Sequence, residues 1–316
     1  MMNYAPKTLI THPLFLSDDL PEESVERTGR LEILLEDVPS IQQLLEQEEV
    51  LEGEIHLVRA ANGEVYLPLF HNPGYIDEVR EMCASLRDRE YAQINDTCLN
   101  KDSYTLACYA VGATIQAARL AKEGKKSFAV VRPPGHHAYA DKGDGFCIFN
   151  NVAIATEYLR RRGEKVLIVD VDLHVGDGTL SYVEGKEKVF YYSMGQEELW
   201  PHIDASEERE NVKLEFLPEG ITDDLYISAL EKTLMPVLRD FKPDIIAVSA
   251  GFDTFATDYV DYRDTFKGGF CLSPRVYKSL WKMLDESLIP YFAVLEGGYN
   301  PVSVCTGVLS FFEKEK

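Results

Sequence analysis

Asp172 and His174 lie two residues apart, just past the apolar run Val166-Leu167-Ile168-Val169. Asp253 lies just past another, Ile245-Ile246-Ala247-Val248-Ser249. Two carboxylates and an imidazole are donors that a catalytic zinc accepts, with three protein ligands and one position left open for water. Alternate residues of an extended chain share a face. Asp170, Asp172 and His174 are therefore expected on one side, with Val171 and Leu173 packing on the other. Asp170 lies further back and is better placed to support a neighbouring group than to ligate. His136 and His137 follow Arg132-Pro133-Pro134-Gly135. In a straight strand they would point to opposite sides, but two prolines that fix φ and a glycine that relaxes it supply a turn, so that both can face one site. Histidine has the pKa to take a proton from an activated water and return it to a leaving amine. Each ring needs a carboxylate to fix its tautomer, and Asp170 and Asp177 are the candidates. Gly176 and Gly178 flank Asp177 and permit close backbone approach. Tyr299 follows Gly297-Gly298, where a phenol can donate a hydrogen bond to an oxyanion. Taken singly, each motif is weak: Asp-x-His can be structural, a His pair can be surface or core, and Tyr299 is one of 17 tyrosines.

Four strand-like runs position these residues. Ser127–Val131 leads into the tandem histidines, Val166–Val169 into Asp170–His174, Ile245–Ser249 into Asp253, and Tyr291–Leu295 into Glu296-Gly297-Gly298-Tyr299. Helical patterns alternate with them over 102–124, 151–162, 222–241, 274–288 and 301–312. Asp102 or Ser103 is expected to cap the first and Gly124 to close it, Gly163 to stop the second, and Thr222 to cap the third, ahead of Asp223 and Asp224. Strand–helix alternation predicts an α/β fold with a mostly parallel central sheet covered by helices on both faces. In such sheets ligands bind beyond the carboxyl ends of the strands, so four strand ends bearing His, Asp and Tyr predict one site. The polar segments 200–220 and 254–269 are expected to be loops around its mouth.

Composition bounds the rest. The chain has 316 residues, no repeat and no linker-like tract, which predicts one domain over 1–316. Six scattered cysteines (Cys83, Cys98, Cys108, Cys147, Cys271, Cys305) without a CxxC pair read as reduced thiols. With no secretion-signal core at the N-terminus and no membrane-length apolar run, the expectation is a cytoplasmic protein without a membrane partner. The net charge of −21, from 32 basic and 53 acidic residues, argues against direct nucleic-acid binding. It would raise encounters with polycations. A homo-oligomer is compatible with all of this.

Taken together, Arg-Pro-Pro-Gly-His-His (132–137), Gly-Phe-Cys (145–147), Asp-Val-Asp-Leu-His-Val-Gly-Asp-Gly (170–178), Ser-Ala-Gly-Phe-Asp (249–253) and Glu-Gly-Gly-Tyr-Asn (296–300) closely resemble the zinc-dependent histone deacetylase superfamily. That superfamily includes acetylpolyamine amidohydrolases and shares the arginase-type α/β fold; the flavour is that of the class II branch. The resemblance runs from about His12-Pro13 and Arg30 to Asn300. It implies Asp172, His174 and Asp253 as zinc ligands, His136 and His137 with Asp170 and Asp177 as acid–base pairs, and Tyr299 as the residue that polarises the amide carbonyl. It implies Phe146 as one wall of an acyl-lysine tunnel and Trp200 as the other, with Gly145, Gly297 and Gly298 lining it. A structural potassium held by Asp170, Asp172, His174, Ser193 and Met194 is also implied. Polyamine-selective relatives carry a glutamate a few residues past the third ligand. Val260 falls there in this chain, within Tyr259-Val260-Asp261-Tyr262-Arg263-Asp264, and Asp258, Asp261 or Asp264 could do that work instead.

The expected chemistry is hydrolysis of an N-acetylated amine, either acetyl-lysine in a peptide or an acetylpolyamine, with Zn2+ as cofactor. Fe2+ is an alternative that mixed O/N ligands accept. Other readings are a ureohydrolase-like enzyme, which would want two metals, and a non-catalytic acyl-lysine binding module, which would be expected to have lost a ligand, base or tyrosine.

Overall fold

The computed structural model describes residues 7–16, 20–21, 24–36, 49–52, 55–258 and 269–313. The four apolar runs form β6 (Ser127–Ala129), β7 (Val166–Asp170), β10 (Ile245–Ala250) and β11 (Tyr291–Leu295). The sheet also holds β1 (Thr8–Thr11), β2 (Glu49–Glu52), β3 (Ile55–Arg59), β8 (Val189–Gln196) and β9 (Val212–Leu217), with β4 (Ala92–Ile94) and β5 (Thr97–Leu99) as a separate hairpin. The nine-stranded sheet has the order β2-β3-β1-β6-β11-β10-β7-β8-β9. Every neighbouring pair is parallel except β2 on β3. All residues of β6, β7, β10 and β11 are buried, as central strands covered on both faces must be.

The helices are α1 (Gly29–Glu36), α2 (Pro73–Ser85), α3 (Ser103–Lys122), α4 (Asn151–Arg160), α5 (Asp177–Tyr182), α6 (Asp223–Phe241), α7 (Pro274–Ser287) and α8 (Pro301–Phe312). α3 packs on α4, while α1, α8, α7 and α6 pack in succession. Aromatic contacts fix α7 and α8 to the sheet: Trp281 stacks on Tyr291 and meets Phe311 edge-on, and Phe128 meets both Trp281 and Phe311. Burial of each such ring contributes about 1.5–3 kcal/mol.

Helix ends follow local chemistry. The side chains of Asn150, Ser273 and Asn300 accept the N–H of Ala153, Arg275 and Val302, and Pro274 and Pro301 open their helices. Asp102 and Thr222 occupy cap positions but their side chains make no capping bond. Asp223 instead accepts from the N–H and hydroxyl of Ser273, tying α6 to α7. Gly124 and Gly163, at φ +77° and +95°, follow α3 and α4.

One expected loop is corrected. Within 200–220 the segment Val212–Leu217 is the edge strand β9, because Val212, Leu214 and Leu217 turn inward while Lys213 and Glu215 are less buried, and the backbone pairs with β8. Of the other expected loop, Ala256 to Asp258 form a short turn, while Tyr259–Asp264, including Val260 and Asp261, lie outside the described residues.

Candidate metal centre

β7, β10 and β11 are adjacent and in register, with Asp170 opposite Ser249 and Ala250 opposite Leu295. The segments that leave them therefore emerge side by side. β7 ends at Asp170, so the residues that follow are not arranged by strand alternation as expected. The chain bends, and the Asp172 carboxylate accepts the N–H of His174 at 2.9 Å, an Asx-type turn that folds the imidazole back over the carboxylate. Val171 and Leu173 are buried as anticipated.

This turn and the end of β10 bring Asp172, His174 and Asp253 together, with one potential ligand atom of each within 4.8 Å of the others. His174 Nδ1 lies 3.3 Å from Asp172 Oδ1 and 3.2 Å from Asp253 Oδ2. Burial pushes the Asp253 carboxyl above the usual carboxylate range, and the nearby Asp172 charge pushes it further. Burial opposes a charge on His174, yet the two carboxylates outweigh it and raise the ring to about 9. Two buried acids repelling one another around one imidazole fit a divalent cation in donor type, number and charge. Gly297 donates its N–H to Asp172 Oδ2 at 2.8 Å. A β-carbon there would come within 2.5 Å of Asp253 and 2.6 Å of Asp172. Gly298 takes φ +107° and its carbonyl accepts from Arg30 Nε.

Both tandem histidines are buried, with ring centroids 3.9 Å apart. His136 Nδ1 is 3.1 Å from Asp170 Oδ2, which also accepts the Tyr191 hydroxyl at 2.9 Å, while His136 Nε2 is 3.9 Å from Asp172. Burial disfavours charge on His136, but Asp172, Asp170 and Glu296 together raise it well above 6.5. His137 Nδ1 is 2.8 Å from Asp177 Oδ1, whose other oxygen accepts the Tyr139 hydroxyl. Burial, and next the adjacent His136, lower His137 to about 4. The two rings are thus shifted in opposite directions, His136 toward its charged form and His137 toward its neutral form.

Phe146 meets Tyr299 edge-on at 5.7 Å. Trp200 lies 4.6 Å from His137 and 6.1 Å from His174. Gly145 sits between these rings: a β-carbon there would meet His137 at 2.5 Å and Trp200 at 2.7 Å. The half-buried Phe146 thus contacts the tyrosine and the half-buried Trp200 the histidines. Of the residues implied for potassium, Asp170 and Ser193 are register partners on β7 and β8, and Met194 is buried next to Ser193.

Several residues at the site carry no signal that the motifs exposed. Glu296 is fully buried, and Oε2 accepts the N–H of Gly135 at 2.7 Å and of His136 at 3.1 Å while Oε1 accepts the Ser249 hydroxyl at 3.0 Å. Burial raises its carboxyl to about 7. Arg30 lies 4.8 Å from the Tyr299 ring centroid and donates to the carbonyls of Gly298 and Glu296. Glu26 joins Arg30 to Arg132. Asp258 corrects an expectation: it is buried, and accepts the N–H groups of Tyr299 and Asn300 at 2.9 and 3.0 Å. Its carboxylate is occupied in setting the Tyr299 turn and is not presented to a distal ammonium.

A parallel α/β sheet carrying two carboxylates, an imidazole and two His–Asp pairs at its strand ends defines the arginase–deacetylase class of architecture. The chain belongs to the histone deacetylase family: the family model described as "Histone deacetylase domain" matches residues 24–314. It is 34% identical to "Histone deacetylase 5" of Arabidopsis thaliana over 269 residues, 78% of this chain and 40% of that protein. It is 32% identical to "Polyamine deacetylase HDAC10" of Danio rerio over 267 residues, 78% of this chain and 38% of that protein. The solved HDA15 HD domain superposes with a TM-score of 0.82 at 27% identity, covering 96% of this chain and 88% of that one. The chain thus spans about two fifths of the length of these two curated relatives.

Proposed function

We propose that this chain is a zinc-dependent amidohydrolase that releases acetate from an N-acetylated linear amine. The observation that carries the reading is the convergence of Asp172, His174 and Asp253 within 4.8 Å, beside two His–Asp pairs. A divalent ion bound there would supply Lewis acidity to the acetyl carbonyl and make a water acidic enough to attack at neutral pH. His137, held neutral by burial, is the ring able to accept a proton from that water. Asp177 fixes Nδ1 as its protonated nitrogen, leaving Nε2 as the acceptor, and stabilises the imidazolium once formed. The same ring then returns the proton to the departing amine. His136, shifted toward its charged form by Asp172, Asp170 and Glu296, adds positive potential to the site. The Tyr299 phenol donates to the developing oxyanion, and Phe146 and Trp200 flank a methylene chain, the feature acetyl-lysine and acetylpolyamines share.

Among the described residues a single cluster of three donors is found, which favours one metal over the pair a ureohydrolase would want. The intact acid–base and ligand sets favour an enzyme over a binding module. The test is a substrate panel on protein of measured metal content, comparing acetylated lysine peptides with acetylputrescine and acetylspermidine. Acetate release from at least one class, lost on chelation and restored by zinc, is expected. Stoichiometric zinc without turnover on any member of the panel would overturn the proposal.

A further inference from the structure

We infer that Tyr277 is a positioning residue for the metal ligands, its hydroxyl tying together the two turns that carry them; the inference rests on the reading of Asp172, His174 and Asp253 as a metal site. Tyr277 is on α7, 1% exposed, and belongs to none of the motifs. Its hydroxyl lies 3.0 Å from the carbonyl oxygen of Val171 and also donates to that of Gly251. Val171 immediately precedes Asp172, and Gly251 stands two residues before Asp253. The Thr254 hydroxyl, from the residue after Asp253, is 3.3 Å away. One phenol thus reaches the backbone on both arms of the donor set.

Two carbonyl oxygens converging on one buried point repel unless a donor stands between them, and a buried acceptor left without a donor is costly. The phenol O–H is the donor that stands between them; the Thr254 hydroxyl, 3.4 Å from the Gly251 carbonyl, serves that arm alone. The ring cannot drift, because Phe252, Phe255 and Trp281 pack around it at 4.8, 5.3 and 6.1 Å between centroids. The strand register sets the coarse separation of the arms. The hydroxyl holds the last part of it, against two carboxylates whose like charges push the arms apart. Removing the hydroxyl leaves sheet, ring packing and all three ligands in place but lets the arms separate before metal arrives. Groups that orient ligands in this way are worth roughly 10- to 100-fold in metal affinity.

The experiment uses the full chain, stripped of metal and titrated with zinc against a chromophoric chelator, for wild type, Tyr277→Phe and Tyr192→Phe. Phenylalanine preserves the ring packing, and circular dichroism verifies the fold. Tyr192 is the control: it is also buried, and its hydroxyl bonds Thr233 on α6 rather than a ligand-bearing turn. The expected result is a zinc Kd weakened roughly 10- to 100-fold in Tyr277→Phe and unchanged in Tyr192→Phe. Wild-type affinity in Tyr277→Phe overturns the inference and leaves the metal site standing. An equal loss in Tyr192→Phe overturns it as well, since general loosening would then suffice. Failure of the wild type to take up one zinc overturns the metal reading itself, and with it the inference.

Discussion

Replacing Asp177 by asparagine separates two things a carboxylate does for a histidine: choosing the tautomer and supplying charge. In a serine-protease triad the same exchange reverses the tautomer and costs about 10^4-fold. Here the surroundings dictate otherwise. Asp177 Oδ1 accepts the Gly178 N–H at 3.0 Å as well as facing His137 Nδ1, while Oδ2 faces the Tyr139 hydroxyl at 2.9 Å. An asparagine amide nitrogen at the Oδ1 position would confront a backbone N–H, so its oxygen takes that place and its nitrogen turns to the Tyr139 oxygen, which can accept. His137 keeps its Nδ1–H and its free Nε2. What is lost is the negative charge that supports the imidazolium. A hydrogen bond between charged groups contributes about 1.5–3 kcal/mol, so Asp177→Asn should lower kcat/KM by about 10- to 150-fold. Asp177→Ala, which also frees the ring, should fall further. The assay is kcat/KM against pH on the best substrate of the panel, with zinc content measured. A loss near 10^4-fold in Asp177→Asn would refute the argument from Gly178, and an unchanged rate would show that the Asp177 charge plays no part.

Tyr299→Phe should fold, keep stoichiometric zinc and lose about 10^2–10^3 in kcat, the usual cost of one oxyanion donor; a near-normal kcat would remove the phenol from the reaction. Asp253→Asn should lose zinc on dialysis, because a neutral amide replaces one of two anionic donors, and retained stoichiometric metal would refute the ligand set. His71 predicts a pH dependence of stability. Burial lowers its pKa to about 3, and its Nε2 accepts the Asn150 N–H at 2.9 Å in the neutral form. The folded value lies below the unfolded value of about 6.5, so no contribution exists above pH 6.5, and below it the unfolded chain binds a proton that the folded chain refuses. Unfolding free energy should therefore fall by about 1.4 kcal/mol per pH unit from this residue between pH 6 and 4. His71→Gln, which keeps an acceptor, should flatten the denaturation profile by that slope; parallel profiles would refute it.

The strand runs were legible because each is β-branched or aromatic and bounded by Pro, Gly or Asp. The end of β7 was not, since extended alternation was expected through His174 where the chain turns after Asp170. The sheet order needs only that these runs lie side by side. Helix limits were legible to within about two residues, where Gly124, Gly163, Pro274 and Pro301 act through backbone conformation. β9 was hidden because Val212–Leu217 is an edge strand flanked by charged residues, with a pattern too short to stand out. Glu296 was visible as a letter of a motif but not as a function, since its partners are two backbone N–H groups 160 residues away. Glu26 gave no signal and Arg30 was visible only as a limit of the family resemblance, because their value lies in reaching Arg132, Glu296 and Gly298 across the fold. Proximity in the chain reveals ligands that share a turn; it does not reveal the groups that hold one turn against another.

The glycines of the motifs shape the same site by what they lack. A β-carbon on Gly251 would overlap the Asp172 carboxylate, and one on Gly297 would crowd both Asp172 and Asp253. Neither glycine needs a positive φ, so conformational freedom does not explain them. Space does: β10 and β11 must leave room at their ends for an acid on the turn that follows β7, and only a residue without a side chain can border it. Ser-Ala-Gly-Phe-Asp and Glu-Gly-Gly-Tyr therefore encode, besides a candidate metal donor and a phenol, the cavity into which the Asp172 carboxylate fits. An alanine at either glycine should displace Asp172 while leaving every donor in the sequence, which is why the donor letters alone under-specify the site.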